Sequence, residues 1–78
     1  MEKRSLSIAG HRTSIALEPE FWAVLEAMAA ADSVALPRLV KTIDETRTVA
    51  NLASALRLAA LRWTADQSAQ PTANPDQP

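Results

Sequence analysis

The stretch GHRTSIALEPEFW, residues 10–22, changes character halfway along. Thr13, Ile15 and Leu17 alternate with Arg12, Ser14 and Ala16, the period of two that gives a β-strand one buried face. Glu18-Pro19-Glu20 ends the alternation. Proline loses nothing in a helix's first turn, where its missing N–H has no partner to find, and acidic side chains there favour the helix dipole. Phe21, Leu25 and Met28 then recur at i, i+4 and i+7, with Trp22 and Ala29 widening the stripe. The reading is a firm strand over 11–17 feeding a first helix over 19–31.

Upstream, Leu6 and Ile8 alternate with serines, which reads as a looser extended arm, and Gly10 marks a bulge or bend. A single strand cannot satisfy its own N–H and C=O groups. A hairpin with the arm would leave only Ala9 and Gly10 between the runs, and these are not a strong turn dipeptide. Pairing with the same strand of a second chain satisfies the backbone groups along the shared edge and enlarges a small core. The expected fold is therefore mainly α, a homodimer with an intermolecular antiparallel two-stranded ribbon backed by helices. Arg12, Ser14 and Ala16 would project outward from that ribbon. A two-stranded ribbon fits the major groove of B-DNA, where arginine reads guanine edges and serine bonds to several bases. Ordinary solvated edge residues would give the same pattern.

Downstream, residues 30–34 are the one sensible break before Leu36, Leu39, Val40 and Ile43 mark a second helix over about 35–47. Pro37 must lie in its first turn, because an interior proline costs about 3 kcal/mol. Asn51 reads as the N-cap of a third helix carrying Leu52, Leu56, Ala59 and Trp63, with a second apolar line through Leu58, Leu61 and Ala65. The expected dimer core is Thr13, Ile15, Leu17, Phe21, Trp22, Leu25, Leu39, Val40, Ile43 and Leu56, with Trp63 read as core too. Residues 66–78 hold three prolines and no aliphatic side chain larger than alanine, so a disordered tail is expected after a domain spanning 4–65.

Composition narrows the function classes. The chain has 78 residues, no cysteine and one histidine, His11, which removes disulfides and cysteine- or histidine-rich metal sites. A chain this short usually needs a partner when it has neither disulfide nor metal, which again favours a dimer. No apolar run is long enough to span a bilayer and the start lacks a signal-like apolar segment, so the expected location is cytoplasmic, without membrane contact. With no tyrosine, no glycine-rich phosphate loop and too little chain for an ordinary pocket, no enzyme and no cofactor are expected. Net charge is -1, but the distribution is uneven. Glu18, Glu20, Glu26 and Asp32 crowd residues 18–32, while Lys3, Arg4 and Arg12 precede them and Arg38, Lys41, Arg47, Arg57 and Arg62 follow. A local positive field can coexist with an acidic whole.

The strand–helix–helix order, with Thr13–Leu17 running into Glu18-Pro19-Glu20-Phe21, resembles the ribbon-helix-helix family of dimeric DNA-binding proteins. GHRTSIALEPEFW followed by ALPRLVKTID and NLASALRL is similar to a bacterial subgroup with an extra C-terminal helix, over about residues 4–63. The resemblance implies base contacts from Arg12, Ser14 and Ala16, and a phosphate held at the start of the second helix, at Ala35-Leu36-Pro37. Around that phosphate, Leu36, Arg38 and Lys41 are the expected contacts and Ser33 is a candidate cap, while His11 either meets a phosphate or base beside Arg12 or pairs across the ribbon to complete the dimer surface. Two residues depart from the family pattern: Ala16 stands where a polar reader is common, and Pro37 removes an amide donor. The implied function is a dimeric, sequence-specific transcriptional regulator on double-stranded DNA. The alternative is a protein-interaction or structural dimerisation module without specific DNA binding, with the third helix or the tail as surface for a protein partner.

Overall fold

The computed structural model describes residues 1–69. Its elements are β1 (Glu2–Ile8), β2 (His11–Leu17), α1 (Pro19–Ala31), α2 (Leu36–Thr46) and α3 (Leu52–Ala69). The helices match the expected positions to within a residue or two at their starts. Helix α3 continues through Ala69, into the stretch expected as tail, and residues 70–78 lie outside the described part.

The pairing of the strand departs from expectation. β2 has a partner in its own chain: β1 runs antiparallel to it with Glu2 opposite Leu17, Ser5 opposite Ser14 and Ile8 opposite His11. The supposed arm is a full strand, and Gly10 is neither bulge nor bend but half of a two-residue turn. Ala9 has φ 53° and Gly10 φ 83°, the two positive values that a type I′ hairpin turn needs. Gly10 adopts this conformation freely, whereas Ala9 does so at a cost of about 1–2 kcal/mol. The ladder and the anchoring of β1 on α1 outweigh that cost, which a search for Asn-Gly or Asp-Gly does not register. A Cβ added at Gly10 would meet nothing within 4 Å, so Gly10→Ala carries a purely conformational penalty. It is expected to lower stability by about 1–2 kcal/mol, a fall in melting temperature of roughly 4–15 °C for a domain of this size. Ala9→Asn should shift the melting curve the other way, because asparagine tolerates the left-handed region.

One core joins the layers. Leu17, Trp22, Leu25, Val40 and Leu56 have no exposed surface, and Ile8, Ile15, Ala29, Leu39 and Ala60 complete the buried cluster. Most of the expected dimer core is thus buried within a single chain, while Thr13, Phe21 and Ile43 keep partial exposure. Trp63 also keeps partial exposure and lies outside this cluster, against expectation. α2 packs against β1 and α3 reaches β2.

Helix α1 ends in a Schellman arrangement. Ser33 lies at φ 57°, with its N–H donating to Ala30 O and that of Val34 to Ala29 O. Ser33 therefore closes α1 and does not cap α2, whose N-cap, Ala35, makes no side-chain capping bond. Pro37 sits in the first turn of α2 as required. Asn51 caps α3, its Oδ1 accepting from the Ser54 N–H at 3.1 Å.

Candidate nucleic-acid interface

Alternation along both strands of the hairpin sorts its residues into two faces. Glu2, Arg4, Leu6 and Ile8 of β1 share the inner face with His11, Thr13, Ile15 and Leu17 of β2. The outer face pairs Lys3 with Ala16, Ser5 with Ser14 and Ser7 with Arg12. All six are exposed except Ala16, which is half-buried. The face carries two cations and three serines and no acidic residue. The Ser5 and Ser14 hydroxyls lie 3.2 Å apart and hydrogen-bond to each other. Arg12 and Lys3 mark its two ends, roughly 14 Å apart along the strands.

This arrangement brings together Arg12, Ser14 and Ala16, as expected, and adds Lys3, Ser5 and Ser7. Their signal was present in the period-two spacing of residues 3–8, but it could be used only once the in-chain register was known. Ala16, without a polar group of its own, has Lys3 directly across the ladder. His11 does not join the outer face: it alternates with Arg12 and stands opposite Ile8 beside the turn. Arg38 and Lys41 are exposed one turn apart on α2. At the start of α2, Pro37 has no N–H, and the Arg38 and Leu39 amides both donate to Ala35 O. The Leu36 N–H is thus the remaining first-turn donor.

Ion pairs separate structural cations from available ones. Arg4 bridges Glu2 and Glu26 and lies over Trp22, 4.8 Å from the ring centroid. The Trp22 indole N–H donates to Glu2 O at 2.8 Å, fastening β1 to α1. Arg47 pairs with Asp44 at 2.9 Å and donates to the carbonyls of Val49 and Ala50 in the α2–α3 connection. Arg57 binds Glu18 at 3.0 Å and approaches Phe21, 5.9 Å from its centroid. Lys3, Arg12, Arg38, Lys41 and Arg62 are exposed and make no ion pair among the described residues.

A hydrogen bond from its own backbone, then the Arg57 guanidinium, hold the Glu18 carboxyl below the usual carboxylate range. Folding lowers this pKa, so the stabilisation is present above the ordinary glutamate value of about 4.3 and is lost as pH falls through the folded value. Glu18→Gln should therefore flatten the acid limb of the stability curve while leaving its shape near neutrality unchanged. Urea unfolding at a series of pH values tests this, and an unaltered acid limb would remove Glu18 from the account.

The second edge of β2 is unpaired among the described residues, where the sheet has two strands. Beside it a groove of about 380 Å³ is lined by Thr13, Ser14, Ile15, Ala16 and the first residues of α3, Asn51–Ala53. No helix among the described residues is long and apolar enough to cross a membrane.

A model of the ribbon-helix-helix domain matches residues 1–64, from the hairpin through most of α3. Among solved structures, the chain is similar to an uncharacterized protein from Bordetella pertussis Tohama I. The two share 35% sequence identity at a TM-score of 0.75, over 92% of this chain and 66% of that one. This chain therefore spans just under two thirds of the length of that relative. No curated protein matches.

Proposed function

The chain belongs to the ribbon-helix-helix family, whose members are DNA-binding regulators and not enzymes, and on that premise we propose a dimeric, sequence-specific transcriptional regulator acting in the cytoplasm. The observation that carries the proposal is the outer hairpin face: cations and hydroxyls, no carboxylate, and no ion pair engaging Lys3 or Arg12 among the described residues. The unpaired edge of β2, with the groove beside it, is where the partner's β2 adds antiparallel to make the intermolecular ribbon. Arg12 and Ser14 of both chains then read base edges, and Ala16 contacts a thymine methyl group. The Leu36 N–H with Arg38 and Lys41 holds a phosphate at the start of α2. His11, on the other side of β2 from Arg12, is the weakest member of the phosphate set.

A second reading has its own support. Leu58 and Leu61 of α3 are 38% and 55% exposed, a surface suited to a protein partner, so the chain would be an interaction module that keeps the fold without reading DNA. Binding to the DNA upstream of the protein's own coding sequence, against a scrambled duplex at physiological salt, separates the two. A preference of a thousandfold or more supports the regulator. Equal weak binding to both duplexes supports the interaction module.

A further inference from the structure

The in-chain hairpin changes what a dimer would present to DNA. Pairing β2 with a second β2 gives a four-stranded sheet in the order β1-β2-β2-β1, with the two copies of β2 central. At about 4.8 Å between strands, the outer pair stand about 14 Å apart, more than the roughly 12 Å width of the major groove. The two β1 strands cannot enter beside the central ribbon. They come to lie over the groove walls, where the phosphates are.

We propose that the outer face of β1, with Lys3, Ser5 and Ser7, is a phosphate-binding rail that flanks the base-reading strands on both sides. This deepens the regulator reading and rests on its dimer. Residue chemistry fits the position. Lysine and serine are ordinary phosphate ligands, and the short side chains of Ser5 and Ser7 let the backbone approach the groove rim. Lys3 lies across from Ala16, so the rail places a cation next to the β2 position that offers no polar group. All three side chains are exposed on one face, and among the described residues Lys3 has no carboxylate partner.

The test measures the full chain's affinity for its upstream DNA and for a scrambled duplex across a salt series, for wild type, Lys3→Ala and Ser7→Asp. Circular dichroism and solution mass confirm that the fold and assembly are intact. Lys3→Ala should weaken both duplexes by the same factor, on the order of tenfold, and reduce the salt slope by about 1.8 for two copies. Ser7→Asp, which sets a negative charge against a phosphate, should weaken both duplexes as well. An unchanged slope and affinity for Lys3→Ala overturns the rail, as does a changed ratio between the duplexes, which would make Lys3 a base reader. The wild-type ratio between the duplexes judges the regulator reading separately, because the rail is read from the slope.

Discussion

Replacing Trp22 with alanine is expected to remove about a third or more of the domain's stability, the largest loss of any single core truncation. Trp22 has no exposed surface and packs with Leu17, Leu25 and Leu56 in the core. Truncating a buried aromatic to alanine costs about 3–5 kcal/mol. Domains hold only about 0.05–0.15 kcal/mol per residue, so a unit this small has roughly 3–10 kcal/mol in total. The same substitution loosens β1 from α1, because the indole N–H to Glu2 O and the Arg4 stack both disappear. Trp22→Phe separates the contributions. It keeps most of the apolar volume but leaves the Glu2 carbonyl without its donor, an expected loss of about 1–3 kcal/mol. Urea unfolding followed by circular dichroism, at one fixed chain concentration since assembly shifts apparent stability, reads both variants. A Trp22→Ala protein that unfolds within about 1 kcal/mol of wild type would remove this residue from the centre of the core.

Residues 11–46 were legible because each signal there is strong and local. Alternation defines β2, Pro19 and Pro37 mark first turns, and apolar recurrence defines the buried faces of α1 and α2. The hairpin was not legible for an energetic reason. Its turn places an alanine at φ 53°, a conformation that local preference disfavours. What holds it is the β1–β2 ladder together with two distant side-chain ties, the Trp22 indole to Glu2 O and Arg4 to the Glu26 carboxylate. Neither side-chain tie is visible as a pattern, because their residues stand twenty or more positions from their partners. Arg4 shows the same limit. In sequence it is one of three early cations, yet only contact with Glu2, Glu26 and Trp22 marks it as a clamp and leaves Lys3 and Arg12 as the available charges. The second apolar line of α3 was visible, but not that its leucines at 58 and 61 stay exposed, since exposure depends on where neighbouring helices stop.

Arg12→Ala is expected to abolish discrimination between the upstream sequence and a scrambled one while leaving the fold intact. Arg12 is exposed at the hairpin's outer face and makes no ion pair among the described residues, so its removal disturbs no structural contact. A bidentate arginine–guanine contact contributes about 1–3 kcal/mol of discrimination. A twofold dimer makes two, for a loss of roughly 2–6 kcal/mol, or about 30- to 20,000-fold in specific affinity. Arg12→Lys sharpens the test because it keeps the charge and loses the planar fork. If Arg12 reads bases, the lysine variant retains the salt-dependent background but loses most of the discrimination. If Arg12 only meets phosphate, lysine restores wild-type behaviour on both duplexes, and the reading of bases would fall to Ser14 alone. Ser14 shares its hydroxyl with Ser5 across the ladder and can turn to donor or acceptor at little cost, so by itself it distinguishes bases poorly. On the proposed reading, specific recognition by this ribbon would depend on the fork of Arg12, the one rigid candidate reader on a face otherwise built of serines, an alanine and a flexible lysine.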